Sequence, residues 1–228
     1  MNKVTVFSPL DSSRIKRIVK SKDLKISQKN FEFMIVYGGD GSVLMAERKY
    51  PSVPKLIVKY STIVKNFEYT LHKLPYVLEK IKKGDYKIHE ELKLEAKFKQ
   101  EKLLALNEFQ VRTSIPIRAL RFSVSFNEHK FKNLIGDGVL VSTPFGSTGY
   151  YKSIGGKPFK NGIGIAFNNL HNIKIKPIVI NENSRIKVKI VREEALLLCD
   201  NYEKFFKLKP GDSVTIKKSK EFARFIKV

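Results

Sequence analysis

A buried strand that ends abruptly in a glycine-rich turn constrains the fold of this chain most strongly. The apolar run Phe31–Val36 has the length and the branched and aromatic content of a buried strand. It is followed, after Tyr37, by three glycines around one acid: Gly38, Gly39, Asp40 and Gly41. Because glycine tolerates positive φ and lets a ligand approach the backbone closely, such a turn can cradle phosphate. The alternative is an ordinary strand-to-helix turn with Asp40 as the helix N-cap, and this stretch alone leaves both interpretations open.

Asp40 is the unusual member of the turn. A carboxylate repels a phosphate unless it has a role, such as holding Mg²⁺ or accepting a proton from an attacking hydroxyl. The phosphate interpretation therefore predicts one of these two roles for Asp40.

The composition is that of a soluble globular protein that carries a large positive charge. Of the 228 residues, 42% are hydrophobic and 29% charged, and 44 basic residues against 22 acidic ones give a net charge of +22. This charge favours anionic partners, but the basic residues are dispersed and no motif for nucleic acid accompanies them. Nucleic acid is therefore not the expected partner.

Cysteine usage and hydropathy indicate a cytoplasmic protein that is not bound to a membrane. The single cysteine, Cys199, ends the apolar run 195–198, so it is expected in the core and cannot form an internal disulfide. No apolar run approaches the roughly 20 residues that span a bilayer. The N-terminus also lacks the pattern of a signal peptide.

The order of the predicted elements divides the chain in two. Strands at 3–8, 31–37 and 54–60 alternate with helices near 13–20, 42–49 and 75–83, which is typical of a parallel sheet with helices on its faces. Ligands bind such sheets beyond the carboxyl ends of the strands, where the glycine turn lies. After Gly84 the apolar period changes to two, with strands at 86–98, 103–113, 117–126, 130–143, 162–168, 176–180, 185–192 and 194–199. We therefore predict an α/β domain over residues 1–84 and an antiparallel β-rich domain over residues 85–211.

Two further stretches, both in the β-rich half, combine polar groups in a way that favours a ligand. Asn107 and Glu108 stand in an apolar strand, where they form either a solvated edge or a pair that binds sugar hydroxyls. The segment Gly136–Gly156 holds six of the 13 glycines together with Ser, Thr and two tyrosines. Its loop suits an adenine or nicotinamide ring, with Tyr150 able to stack, although a structural glycine loop is the alternative.

The order and content of these three stretches resemble the NAD kinase family. That family carries a Gly-Gly-Asp-Gly turn, then Asn-Glu, then a long Gly-Asp-Gly…Ser-Thr-Pro-x-Gly-Ser-Thr-x-Tyr…Gly-Gly segment. The turn alone is shared with diacylglycerol, sphingosine and phosphofructo-kinases, whereas the long segment is specific to the family. The chain is similar to a short member of archaeal or thermophile type, and residues 212–228 resemble the C-terminus that returns to the first domain.

The resemblance implies a kinase that transfers a phosphoryl group from ATP, or from polyphosphate, to the 2′-hydroxyl of the adenosine ribose of NAD, with Mg²⁺ or another divalent cation. It implies a homodimer or homotetramer, and Asp40 as the catalytic residue. The residues implied to bind the substrates are Gly38, Gly39, Gly41, Asn107, Glu108, Asp137, Thr148, Tyr150 and Ser153.

The chain departs from the family's pattern after its third predicted strand. Family members have a glycine-rich segment there, whereas residues Lys59–Val64 contain no glycine. Two alternatives remain: a kinase of the same superfamily that acts on a lipid or another small alcohol, and a non-catalytic protein that binds dinucleotides or nucleic acid.

Overall fold

The chain forms two compact units in a computed structural model that describes residues 3–51, 53–60 and 62–228. One unit contains residues 1–91 and 222–228, and the other contains residues 92–221. The domain limits expected from the sequence, 1–84 with 212–228 and 85–211, stay a prediction. No helix of the described part of the chain is long and apolar enough to cross a membrane.

The first unit is built on a parallel sheet in the order β2-β1-β3-β4, with β5 also paired to β4. Apolar residues of this sheet and of two helices, among them Val19, Ile35, Leu56 and Leu78, form its core. The elements are β1 (Lys3–Phe7), α1 (Ser13–Ser21), β2 (Lys25–Ile26), β3 (Phe33–Tyr37), α2 (Asp40–Lys49), β4 (Lys55–Lys59), β5 (Glu68–Thr70), a 3₁₀ turn (Leu71–Lys73) and α3 (Leu74–Lys82). The predicted parallel α/β order is confirmed, whereas the short strands β2 and β5 and the 3₁₀ turn were not expected.

The end of the chain belongs to this first unit. Phe225 pairs in parallel with Lys55 of β4, and its ring stacks on Phe67 with centroids 5.0 Å apart. The backbone N–H of Val228 donates a hydrogen bond to the Tyr69 hydroxyl at 2.7 Å. Residues 222–228 of the predicted returning segment thus belong to the α/β unit, whereas residues 212–221 belong to the other unit.

The glycine turn joins β3 to α2 in fewer residues than the sequence predicted. The helix begins at Asp40, not near residue 42, and Gly39 is its N-cap. The interpretation of Asp40 as the N-cap is therefore wrong. A Cβ on Gly38 would lie 2.1 Å from Oγ of Ser42, so only glycine lets the first turn of the helix approach the end of the strand this closely.

The second unit is an antiparallel β sandwich. Six strands form one sheet in the order β13-β12-β11-β8-β15-β16, and β10-β9-β14-β17 form part of the other. The elements, of which β6 begins and β17 ends in residues of the first unit, are β6 (Lys87–Phe98), β7 (Glu101–Ala105), β8 (Glu108–Thr113), β9 (Leu120–Phe126), β10 (His129–Gly136), β11 (Gly138–Ser142), a 3₁₀ turn (Phe145–Thr148), α4 (Tyr150–Ser153), β12 (Ile163–Asn168), β13 (Ile178–Ile180), β14 (Ile186–Arg192), β15 (Ala195–Cys199), β16 (Phe206–Leu208) and β17 (Ser213–Lys227). The predicted β-rich fold class is confirmed.

Apolar residues from the two sheets share one core. Strands of both sheets bury every second side chain in this core, and examples from four strands are Phe109, Val139, Phe122 and Val188. Burial of one face of these strands explains the period-two pattern of the sequence. Cys199 is buried in the same core, as predicted, and its thiol donates a hydrogen bond to the Leu104 carbonyl at 3.1 Å.

Two of the long strands predicted from the sequence are each divided in the structure. The strand expected over 103–113 is β7 and β8, separated at Leu106 and Asn107. The strand expected over 130–143 is β10 and β11, separated at Asp137. Asn107 and Asp137 are polar, but the alternation of apolar residues resumes in the same phase beyond each break, so the pattern predicts one continuous strand in each case.

Candidate active site

Asp40 projects into solvent at the start of α2, where the strands of the parallel sheet end. Its side chain is 60% exposed, and its Oδ1 lies 2.8 Å from Nζ of Lys59. Lys59 is the last residue of β4, and Tyr37 of β3 pairs with the residue before it. The acid is thus accessible to a substrate, at the helix end where the backbone dipole favours anionic groups.

Lys59 is a buried lysine held by two carboxylates. Its side chain is 2% exposed, and besides Asp40 it lies 3.0 Å from Oε1 of Glu68, the first residue of β5. Burial by itself would lower the pKa of the Lys59 ammonium. Its hydrogen bonds and charge interactions with Asp40 and Glu68 outweigh burial and raise that pKa.

Glu68 also orders the segment that follows β4. Its Oε2 accepts hydrogen bonds from the backbone N–H groups of Val64 at 2.8 Å and Lys65 at 3.0 Å. This is the segment that lacks the family's glycines. Ser61 lies outside the described residues. Before it, Lys59 contacts Asp40 and Glu68; after it, the backbone N–H groups of Val64 and Lys65 donate to Glu68.

In the second unit, Asp200 fixes the backbone of the Asn107–Glu108 pair. Its carboxylate accepts hydrogen bonds from the N–H groups of Leu106, Asn107 and Glu108 at 2.8, 2.8 and 3.0 Å. The break between β7 and β8 therefore has its own acceptor for three successive backbone donors.

The glycine-rich segment packs directly on the same break. The N–H of Thr143 donates to the carbonyl of Asn107 at 2.8 Å. A Cβ on Gly146 would lie 2.4 Å from that carbonyl oxygen, so this position requires glycine. The structure thus brings two of the sequence-predicted stretches, Asn107–Glu108 and the segment after β11, into contact.

Glu108 is buried in the middle of a sheet, so the interpretation of the pair as a solvated edge is wrong. It is 6% exposed, and β8 is paired on both sides, with β11 and β15. Oε1 accepts a long hydrogen bond of 3.5 Å from Gln110, whereas Oε2 has no hydrogen-bond partner within the described part of the chain. Burial, supported by the charge of Asp200 and opposed by the Gln110 hydrogen bond, raises the pKa of Glu108 to about 7.

The two tyrosines of the glycine-rich segment have opposite environments. Tyr151 is 1% exposed and packs edge-on against Phe159, and a Cβ on Gly156 would lie 2.2 Å from its ring. Tyr150 is 37% exposed, and Thr148 and Ser153 are exposed as well. Part of the glycine content thus serves the packing of Tyr151, while the three residues predicted to bind the dinucleotide are accessible to it.

Asp137 lies apart from this cluster. It precedes β11, whereas Thr143 follows it, and strand rise places the two ends roughly 20 Å apart. Its Oδ2 accepts a hydrogen bond from Asn169 at 2.7 Å. Within this unit the structure does not bring Asp137 to Asn107, Glu108 and Tyr150, and its role at the dinucleotide stays a prediction.

The candidate catalytic turn offers one accessible carboxylate, that of Asp40, as a ligand for the expected Mg²⁺. Over the ranges that the structure describes, no three His, Cys, Asp or Glu side chains cluster as metal ligands. Mg²⁺ is commonly held by one or two carboxylates together with the phosphates of the substrate. The exposed Asp40 fits that mode of binding.

Sequence reasoning missed three residues of the site: Lys59, Glu68 and Asp200. Two lysines in the apolar run 55–59 were a signal, because a buried lysine requires an acidic partner. Asp200 directly follows a buried strand, but a single acid after a strand does not identify the amides that it binds.

A parallel sheet with an exposed acid in its glycine turn is compatible with a kinase that transfers phosphoryl groups to hydroxyls, and the comparisons with known proteins support that class. The family model of the ATP-NAD kinase C-terminal domain matches residues 106–228, more than half of the chain. The chain therefore belongs to the NAD kinase family, and the resemblance seen in its sequence is confirmed.

Similar proteins cover most of the chain. The NAD kinase of Thermoplasma acidophilum is 28% identical over 92% of this chain and 79% of its own length. The NAD kinase of Clostridium perfringens (strain 13) is 31% identical over 86% and 75%. A crystal structure of an NAD kinase from Archaeoglobus fulgidus in complex with ATP shares the fold with a TM-score of 0.85, at 22% identity over 99% of this chain and 93% of that one.

Replacing Asp200 with Asn tests the support of the Asn107–Glu108 pair. The amide offers one acceptor oxygen to three N–H donors and turns an N–H₂ group towards at least one of them. We expect a loss of roughly 1–2 kcal/mol in the free energy of unfolding and weaker NAD binding. Denaturant titration and calorimetry measure the two effects, and unchanged NAD affinity would contradict a link between Asp200 and the pair.

Proposed function

We propose that the chain phosphorylates NAD at the 2′-hydroxyl of its adenosine ribose and uses ATP as the donor. The ribose 2′-oxygen forms a bond to the γ-phosphorus, the bond from that phosphorus to the β–γ bridging oxygen breaks, and ADP leaves. The hydroxyl proton passes to a carboxylate. The products are NADP, ADP and one proton.

The observation that carries the proposal is the accessibility of Asp40. Its carboxylate is exposed at the start of α2 although its ion-pair partner Lys59 is buried. In this proposal Asp40 orients the 2′-hydroxyl and accepts its proton, and the turn of Gly38, Gly39 and Gly41 brings the backbone near the phosphates. Because phosphoryl transfer passes through a loose transition state, positioning contributes more than base strength.

Asn107 and Glu108 are proposed to hold ribose hydroxyls. A buried carboxylate oxygen without a hydrogen-bond partner costs stability, and a ligand hydroxyl is the kind of donor that would satisfy it. The exposed Thr148, Tyr150 and Ser153 are proposed to contact the rest of the dinucleotide, with Tyr150 stacking on a ring. When bound, Mg²⁺ supplies charge neutralisation at the phosphates.

The assay for this function incubates the purified protein with NAD, Mg²⁺ and ATP, and detects NADP with an NADP-specific dehydrogenase. Parallel reactions with polyphosphate in place of ATP identify the phosphate donor, and reactions with NADH in place of NAD identify the dinucleotide that is phosphorylated. We expect NADP from NAD and ATP. Measurable NAD binding without product from any donor would contradict the proposal and favour a non-catalytic dinucleotide-binding protein.

A homodimer or homotetramer in the cytoplasm is part of the same proposal. Light scattering coupled to size-exclusion chromatography would give a mass of two or four chains, and a monomeric mass at assay concentration would contradict it.

A further inference from the structure

Two lysines of β4 pair with two acids of α2. Because side chains alternate along a strand, Lys55 and Lys59 point to the same face of the sheet. Asp40 and Glu47 are about two helical turns apart and so share one face of α2. Nζ of Lys55 lies 2.6 Å from Oε2 of Glu47, and Nζ of Lys59 lies 2.8 Å from Oδ1 of Asp40. Ion pairs therefore join the helix to the strand at both ends.

The two pairs differ in the exposure of the acid. At one end, Lys55 is 0% and Glu47 4% exposed, and the ammonium also donates to the carbonyls of Tyr50 and Val53 at 2.8 Å each. At the other end, Lys59 is 2% exposed but Asp40 is 60% exposed. The first pair is closed to any ligand, whereas the second presents its acid to solvent.

Lys59 is itself fixed in place. Glu68 contacts it at 3.0 Å and is held by the backbone N–H groups of Val64 and Lys65. An exposed aspartate normally samples several rotamers. Asp40 is instead tied through Oδ1 to a buried, anchored cation, so its orientation is set by the core of the unit.

We propose that Lys59 is the positioning residue for the Asp40 carboxylate: it binds Oδ1 and leaves Oδ2 for the 2′-hydroxyl, while Glu68 anchors Lys59. This inference rests on the proposed function. Positioning errors of about 1 Å can reduce a rate on the order of a hundredfold, so the loss of this contact should be visible in turnover.

The test compares the two ion pairs of β4. Because Lys59→Met leaves the buried Glu68 carboxylate with the more distant cation of Lys65, whose Nζ lies 3.8 Å from Oε1, two variants are compared: Lys59→Met and the double variant Lys59→Met/Glu68→Gln. The matched control is Lys55→Met/Glu47→Gln, which removes the closed pair of the same helix and strand. Circular dichroism establishes that each variant is folded at the assay temperature, calorimetry gives its Kd for NAD, and the NADP assay gives kcat.

We expect kcat to fall about 10- to 100-fold in both Lys59 variants, with the Kd for NAD within about twofold of wild type. The control variant should lose thermal stability and keep its kcat. If Lys59→Met does not fold, the double variant, in which both charges are removed, is the one that decides.

The inference would be overturned by a kcat within twofold of wild type in the folded Lys59 variants, or by an equal loss of kcat in the Lys55 control. A loss confined to NAD affinity would also exclude positioning of Asp40. Failure of the wild-type protein to make NADP would be a different result, because it would contradict the proposed function itself.

Discussion

Replacing Asp40 with Asn is expected to lower kcat by about 10²- to 10⁴-fold, the range that general acid–base groups contribute. The amide has nearly the same shape but cannot take the proton of the 2′-hydroxyl, and it loses the ion pair with Lys59. Steady-state NADP formation measures kcat, and calorimetry should show that NAD still binds, since the ribose hydroxyls are assigned to Asn107 and Glu108.

The matched control for this variant is Glu79→Gln. Glu79 is also an exposed acid paired with a lysine, Lys22, and it lies in the same unit on α3. Its replacement should leave kcat unchanged, because exposed ion pairs contribute little to stability and Glu79 is not on the glycine turn. Wild-type turnover in Asp40→Asn would show that the role assigned to Asp40 is wrong.

Replacing Glu108 with Gln is expected to change how stability depends on pH. The folded-state pKa of Glu108 is about 7, against an ordinary value of 4.5, so the folded protein retains a proton that the unfolded chain releases. The contribution of Glu108 to the free energy of unfolding is greatest below pH 4.5. It decreases as the pH rises and is lost once the pH has passed 7. Between pH 5 and pH 8 the free energy of unfolding of the wild type should fall by about 2–3 kcal/mol through this group. The Gln variant should not show this fall, because its side chain does not titrate.

Urea unfolding of both proteins at pH 5 and pH 8 measures this difference. The relevant quantity is the change between the two pH values, because the amide group of Gln alters stability equally at both. At pH 8, where Glu108 is ionised, the same variant should bind NAD at least about tenfold more weakly, since a carboxylate makes stronger hydrogen bonds to hydroxyls than a neutral amide does.

Parallel pH profiles for the two proteins would contradict the burial and the raised pKa that the structure assigns to Glu108. If the Gln variant binds NAD more weakly but is more stable than the wild type at pH 8, then Glu108 contributes to function and lowers the stability of the fold.

The sequence by itself determined the fold class, the family and the turn that carries Asp40. These features depend on short-range patterns: a buried strand before three glycines, alternation of strands and helices before Gly84, and period two after it. The segment 136–156 was specific enough to identify the family. Local patterns of this kind were also the source of the errors, because the apolar alternation has the same phase on both sides of the strand ends at Asn107 and Asp137.

Only the tertiary structure decided what surrounds the functional side chains. Lys59 meets Asp40 and Glu68 because β3, β4 and β5 are neighbours and α2 lies over β4. Asp200 meets the amides next to Asn107, more than ninety residues away in sequence, because β15 pairs with β8. The physical reason is the same in each case: burial and ion pairing depend on which strands are adjacent, and the spacing of residues along the chain does not contain that information.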